Sequence, residues 1–507
     1  MAPRKKSAPI RHDDGRLPEP DAAYVSGLYN LKMADGDEAR LRAISKVMRQ
    51  YTRMQHKLAI PDAYRAITKE VRTPYLRDTW HRTSTALNQR PYTIRIEPRD
   101  KTQDAQRAAE LGTRWDAAIR DALDKEIGEN TAIESTKALV RDGESVLKVV
   151  HRPDAWATFP EREDSEDADS YTKRADKYKK GAPPPVAWRV VDRLSMLFGD
   201  GEFGDDWAIE YAEYPRKYLG RIHGMTVVDE GSKANERLIN PERMLGGRPK
   251  PQGYLQTAMG RAVKIEYFDR DWWHVVIDGS DAPGFPKPNP YAPRLPYFRA
   301  KGPDSESLLY SLIFLVPALD ELLTMKLNWS YLGSYPNPLV RAVPNTLTGM
   351  AATGDAGEPP SISWKPGKAL VLPPGWDMGF LAPPPIGKDL NDLVNILREM
   401  IDVAGIPSVF RGAGGDNQAG YAINQLMAAA SLSFKLAGES LSRQFERAFE
   451  HFHWLVGNVV DDTVHVLAGP GQDQEGKQWL GLHPDTGVTA TEAGIGDLGP
   501  VTVEFRP

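Results

Sequence analysis

The stretch that decides the fold is Tyr421 to Val459, YAINQLMAAASLSFKLAGESLSRQFERAFEHFHWLVGNV. Apolar residues recur at Ile423, Met427, Ala430, Phe434, Ala437, Leu441, Phe445, Ala448, Phe452, Leu455 and Val459, a mean step close to one α-helical turn. One unbroken helix over 421–459 is predicted, roughly 55 Å long at 1.5 Å per residue, which is several times an average globular helix. The opposite face carries Glu439, Arg443, Arg447 and Glu450, polar residues suited to solvent. Upstream, Gly405-Ile406-Pro407 ends an earlier amphipathic segment, and Arg411 to Gly420 supplies four glycines in ten residues. That composition reads as a mobile connection between two helices.

With 507 residues the chain is long enough for several cores, and its net charge of −5 argues against coating nucleic acid by bulk positive charge. It contains no cysteine, so disulfide and thiolate chemistry are excluded. No apolar run reaches membrane-span length: Leu308 to Leu327 is broken by Pro317, Asp320, Glu321 and Lys326. Arg4, Lys5 and Lys6 precede no apolar core, so no secretory signal is read. A soluble intracellular protein without membrane association is expected.

Residues 1–20 are Pro-rich and charged and read as a disordered arm. Helices are predicted over 38–57, 74–87, 103–125 and 130–140, with Gly143 as a C-cap, and strands over 92–97 and 146–150. Glu161 to Lys180 reads as a charged, solvated loop. Strands then dominate, at 186–191, 208–214, 263–268 and 273–277. Asp304 is placed to cap a helix to about Leu332, kinked at Pro317. Residues 335–385 are rich in Pro and Gly, with strand candidates at 339–343 and 369–372, before helical periodicity resumes from Ile386 to Val403. A last strand is read at 501–505. The fold class is α+β.

This order of elements resembles a tailed-bacteriophage, siphovirus-type portal protein. So does the local wording: Asp402-Val403-Ala404-Gly405-Ile406-Pro407, then Asn417-Gln418-Ala419-Gly420-Tyr421-Ala422 entering the long helix, and Pro336-Asn337-Pro338 after Trp329. Arg141-Asp142-Gly143 and Pro91-Tyr92, each before a strand, are looser echoes. The resemblance implies a wing at 21–303, a first stem helix at 304–332, a clip at 333–385, a second stem helix at 386–404, a tunnel loop at 405–420, the long helix at 421–459, and a C-terminal wing strand with a reduced crown at 460–507. It also implies a homo-oligomeric ring, usually of twelve subunits, at one capsid vertex of the virion, assembled in the host cytoplasm. Double-stranded DNA would pass through its axial channel during packaging and ejection. The implied partners are the terminase large subunit, then a head-completion adaptor, and the major capsid or scaffolding protein around the wing. No enzymatic activity and no cofactor are implied.

Arg411, Asn417 and Gln418 on the loop, and Lys388 and Arg398 on the second stem helix, are the candidates for touching DNA, since Arg, Asn and Gln reach phosphates without base specificity. The plainer alternative is that the glycines only connect helices and the charges only face solvent. A metal-dependent nucleic-acid-processing enzyme and another head–tail connector ring are the rival readings. Against an ATPase, no G-x-x-x-x-G-K-[ST] occurs, and Gly367-Lys368 is followed by Ala369. No metal site is assigned: His451, His453, Asp461, Asp462 and His465 are awkwardly spaced for one ion, and the acidic run Glu161, Glu163, Asp164, Glu166, Asp167, Asp169 lacks a rigid scaffold. Trp207, Trp272 and Trp273 are expected to be core or interface anchors.

Overall fold

In a computed structural model, residues 16–60, 68–87, 93–98, 131–152, 155, 166–181, 185–201, 204–223, 261–334, 337–342, 376–381, 388–404, 420–460, 464–470, 477–483, 492–494 and 498–504 are described. Along the chain these form α1 (Ala22–Met33), α2 (Gly36–Thr52), α3 (Tyr75–Leu87), β1 (Thr93–Pro98), α4 (Thr131–Asp142), β2 (Glu144–His151), α5 (Ala168–Gly181), β3 (Val186–Val191), β4 (Met196–Gly201), β5 (Gly204–Pro215), α6 (Arg216–His223), β6 (Arg261–Asp269), β7 (Trp272–Ile277), β8 (Ser280–Asp281), β9 (Lys287–Pro288) and β10 (Tyr297–Lys301). Then come α7 (Leu312–Ser334), β11 (Asn337–Ala342), β12 (Trp376–Leu381), α8 (Lys388–Ala404), α9 (Gly420–Leu455), β13 (Val464–Pro470), β14 (Lys477–His483), β15 (Glu492–Gly494) and β16 (Leu498–Glu504). Helix and sheet are mixed, as in an α+β protein. The expected helix at 103–125 and strand at 369–372 lie outside the described residues.

The chain forms two units, one of residues 1–49, 80–310 and 412–507, the other of 50–79 and 311–411. The core of the first unit is α9 laid on a three-stranded sheet of order β10-β2-β3. The apolar period of the sequence is what α9 buries: Ala437, Leu441, Phe445, Ala448, Phe452 and Leu455 are all inside, against Leu139 of α4, Val146 and Val149 of β2 and Trp188 of β3. Trp188 meets Phe449 and Phe452 at ring distances of 5.0 and 5.6 Å. Gln444 interrupts this stripe as a buried polar residue with its amide hydrogen-bonded at both ends. Gln444 donates to the carbonyls of Ser145 (3.0 Å) and Phe298 (2.9 Å) and accepts from the Ser135 hydroxyl (2.9 Å), so it ties α9 to β2, β10 and α4. The hydrocarbon part of α9 thereby gains a fixed register on the sheet.

A six-stranded sheet, β4-β5-β6-β7-β8 with β9 on β7, presents one face to α1, whose Val25 and Tyr29 enter a cluster with Leu197, Ile209, Val263, Ile265, Tyr267 and Val276. Before α1, Leu17 is clamped: its amide donates to the Asp271 carboxylate (3.1 Å) and its carbonyl accepts from the Trp272 indole (2.7 Å). Trp272 and Trp273 are strand residues, and Trp273 stacks on Phe268 at 5.6 Å. Trp207 of β5 packs beside Tyr267. Gly143 ends α4 at φ +75°, with its amide on the Leu139 carbonyl (3.0 Å) and its carbonyl accepting from Gly302 (2.8 Å).

In the second unit α7 packs on α8, and β11 pairs antiparallel with β12. A polar row on α7, Asp320, Thr324 and Asn328, holds the extended segment 69–73. Asp320 accepts from the Thr73 amide (2.9 Å), the Thr73 hydroxyl (2.6 Å) and His56 Nε2 (2.9 Å). Thr324 Oγ1 accepts from the Val71 amide (2.9 Å), and Asn328 Oδ1 from the Lys69 amide (3.0 Å). Three consecutive alternate amides of the segment are thus paired without a sheet.

Two local expectations are corrected. Asp304 does not cap a helix: it lies at φ 53° in a short 3-10 turn, Pro303–Ser305, and α7 begins only at Leu312. The intervening Ser307 and Leu308 are bound to the Val140 carbonyl, through the Ser307 hydroxyl (2.9 Å) and the Leu308 amide (3.2 Å), and these tertiary bonds outcompete the local cap. Second, residues 168–181 of the charged segment are helical, with Ala175 buried.

Candidate nucleic-acid interface

Of the five residues singled out for DNA contact, Arg411, Asn417 and Gln418 lie outside the described residues, as do residues 405–419 of the tunnel loop expected at 405–420. Lys388 is the first residue of α8, and Arg398 is an exposed residue of the same helix. Ten residues apart, they sit about 15 Å from each other along the axis and roughly 80° apart around it, so they do not form one stripe. Acidic residues outnumber them along the helix. Asp389, Asp392, Glu399 and Asp402 are all exposed on α8, giving the helix an acidic excess over Lys388 and Arg398. Such a surface repels rather than grips a phosphate backbone.

The same helix has a conventional buried seam, Val394 and Ile401, with Leu390 and Leu397 half-buried. Beside that seam it leaves Leu393, Ile396 and Met400 exposed, Ile396 at 50%. Helix α7 likewise leaves Phe314 67% and Met325 59% exposed; eleven residues apart, they lie within about 20° of one another on one face. Isolated exposed apolar residues are ordinary, but a row on each of two helices is a surface that association would cover.

The charge chemistry of the first unit lies where the sequence reading did not look. Glu210 of β5 stands directly opposite Glu266 of β6, an arrangement that alone is destabilising. On the neighbouring three-stranded sheet, Lys148 stands opposite both Tyr297 and Arg189. The two rows face each other, and the buried Lys148 ammonium donates to Glu210 (2.8 Å) and Glu266 (3.0 Å). Tyr297 donates to Glu210 (3.0 Å), the Trp273 indole to Glu266 (3.2 Å), Lys264 to Glu266 (3.3 Å), and Arg189 pairs with Glu210. Burial is the largest single influence and by itself would raise both carboxyl pKa values, but the neighbouring cations together outweigh it, Lys148 with Arg189 at Glu210 and Lys148 with Lys264 at Glu266, and each is held below the ordinary range. Burial would likewise lower Lys148, and Glu266 and Glu210 together raise it instead. The group is locked in its charged form.

A second network joins α2 to both sheets. Arg42 donates to Glu38 (2.7 Å), to the carbonyls of Leu194 (2.7 Å) and Met196 (2.6 Å) and to Tyr211 (2.6 Å). Arg193 pairs with Glu38 (2.7 Å) and Glu144, and Arg299 pairs with Glu144 and Asp205 (2.6 Å). Sequence signals for these networks exist in part: Lys148 is centred in an apolar strand, and Ile209-Glu210-Tyr211 recurs as Ile265-Glu266-Tyr267. The pairing itself spans 62 and 118 residues of chain, beyond any local pattern.

His451 and His453 are both buried in α9. Burial first, then Arg294, pushes His451 down to about 3, and burial pushes His453 down to about 4, so both rings are neutral at neutral pH. Tyr291, Phe298 and Trp454 enclose His451. Asp461 and Asp462 lie outside the described residues. Among the described residues, no group of three or more His, Cys, Asp and Glu is placed to hold a metal ion, and no helix is long and apolar enough to cross a membrane.

No protein-family model matches this chain, and no curated protein matches it.

Proposed function

We propose that the chain is the subunit of a portal-type ring, a non-enzymatic assembly at one capsid vertex through which double-stranded DNA is packaged and ejected. The observation that carries this reading is the pair of exposed apolar rows in the second unit, Phe314 and Met325 on α7 and Leu393, Ile396 and Met400 on α8. A closed ring is built from heterologous contacts, in which two different faces of each copy are covered by its neighbours, and one row on each helix supplies two such faces. The order of the chain supports the same reading: an α/β unit, a helix, a segment with a two-stranded sheet, a second helix, and then the helix α9 returning to the first unit. The acidic excess on α8 suits a channel wall past which DNA slides, because tight phosphate binding would arrest it.

On this reading residues 333–385 form the clip, where the terminase large subunit docks during packaging and a head-completion adaptor docks afterwards. Capsid or scaffolding protein surrounds the wing, and the loop 405–420 with Arg411, Asn417 and Gln418 meets the DNA. The test is the native mass of the purified protein together with negative-stain images, alone and with its scaffolding protein. A closed ring of about twelve copies is expected, reduced to smaller species by Phe314→Asp with Ile396→Asp. A monomer or dimer under both conditions, or Mg²⁺-dependent cleavage of DNA by the purified protein, would overturn the proposal.

A further inference from the structure

Beside β3, in the first unit, lies a half-open groove of about 340 Å³, bounded by α4, by the strand and by Trp80. Its volume falls in the range of small-molecule sites, well above what a bare phosphate fills. The Trp80 indole donates to the Lys137 carbonyl (3.0 Å), which fixes the ring as a wall, and Ala138 and Val191 extend that wall. Apart from Thr131 and Val190, the rest of the lining is charged.

The groove keeps open donors beside two acceptors, the Glu134 carboxylate and the Val190 carbonyl. Asp142 is spent: Oδ1 accepts from Arg49 Nε (3.1 Å) and Arg141 Nε (3.2 Å), and Oδ2 from Arg49 Nη2 (2.8 Å) and Arg141 Nη2 (2.8 Å). Asp192 is also spent, on Arg49 (2.6 and 2.7 Å) and the Leu194 amide (2.8 Å). Arg193 is consumed by Glu38 and Glu144. By contrast, among the described residues the Lys137 ammonium, with three N–H groups, meets only Glu134 (2.7 Å), and Arg141, whose guanidinium lies 5.6 Å from the centre of the Trp80 ring, binds Asp142 through Nε and Nη2, which leaves Nη1. A backbone amide joins them. Arg152 donates to the Pro185 carbonyl (2.6 Å), and Lys148 stands opposite Arg189, so alternation in the antiparallel ladder gives β2 the amides of Arg189 and Val191. The N–H and C=O of Val190 therefore turn to the outer edge of β3, on which no further strand pairs among the described residues.

We propose that this groove binds a small oxyanion carried on a planar ring, with the anion at Lys137, Arg141 and the Val190 amide and the ring along Trp80. The inference stands independently of the ring assembly proposed above. Isothermal titration of the full-length chain tests it with phenyl phosphate and benzoate, which share a ring and differ in the anion, with inorganic phosphate, which lacks the ring, and with benzyl alcohol, which lacks the charge. Saturable binding of phenyl phosphate or benzoate is expected, the tighter one identifying phosphate or carboxylate, with inorganic phosphate weaker and benzyl alcohol silent. Lys137→Ala, at a half-buried surface position, is expected to weaken binding by about tenfold, and Ala138→Leu, which fills the groove without altering charge, to abolish it. The proposal is overturned if neither aromatic anion binds saturably below about 10 mM, if inorganic phosphate or benzyl alcohol binds as well as they do, or if both variants bind like the parent.

Discussion

Replacing Lys148 with methionine tests whether the buried charge box of the first unit is a balanced set. Methionine keeps most of the volume and removes the ammonium, leaving Glu210 and Glu266 facing each other across β5 and β6 with only Arg189 and Lys264 at their margins. Breaking one partner out of a buried ionic group costs about 3–5 kcal/mol, a large share of the stability of a typical domain. Urea unfolding followed by tryptophan fluorescence, with hydrogen exchange at the amides of β2 and β6, measures the loss. Glu266→Gln added to Lys148→Met removes one of the two opposed charges while keeping an acceptor for the Trp273 indole, so it is expected to restore at least about half of the deficit. The pH dependence has a defined sign. Glu210 and Glu266 are depressed in the folded protein, so their contribution is complete above the ordinary carboxylate pKa near 4.3 and declines as pH falls below it. Lys148 is raised, so its contribution is complete below about pH 10.4 and is lost as pH rises through the higher folded value. In Lys148→Met the carboxylates lose their principal counter-ion, and its deficit is expected to shrink between about pH 6 and pH 4. A variant within about 0.5 kcal/mol of the parent at pH 7, or a double variant no more stable than the single one, would refute the reasoning.

Two further substitutions probe the connections. Asp320→Ala orphans the Thr73 amide and hydroxyl and the buried His56, and is expected to cost about 2–4 kcal/mol, with exchange protection lost at Thr73; unchanged protection would show that the segment is held by other contacts. Gly143→Ala places a Cβ 2.3 Å from the Glu306 carbonyl carbon at a φ of +75°, so thermal unfolding is expected several degrees lower, and an unchanged midpoint would contradict that crowding.

What the sequence disclosed was whatever is periodic over short range. The α9 stripe was legible because its buried residues repeat with the helix, and strands such as Val186–Val191 were legible because the chain around them is rich in glycine and proline. Helix α1 was not: it buries only Val25 and Tyr29 and leaves Tyr24 and Leu31 exposed, so no stripe announces it. Strand β4, Met196–Gly201, ends in Gly-Asp-Gly and reads locally as a turn, yet pairing with β5 holds it. The return of residues 50–79 to the second unit depends on side-chain hydrogen bonds across some 250 residues of chain, partners that no local pattern reveals. Of the candidate DNA-contacting residues, Arg398 was placed on a helix by periodicity, but the exposed apolar rows beside it emerge only when burial is known.

The row Asp320, Thr324, Asn328 has a metric consequence. Four helical residues advance about 6.0 Å, whereas two extended residues advance about 6.6 Å, so the two rulers nearly coincide but drift by roughly 0.6 Å at each rung. Across the three rungs at Thr73, Val71 and Lys69 the drift accumulates to about 1.2 Å, which side-chain rotamers absorb while the bonds stay between 2.9 and 3.0 Å. Two more rungs would take it beyond the tolerance of a hydrogen bond. The pair of scales therefore works as a vernier: it admits a short run of matched marks, fixes one alignment, and limits its own length.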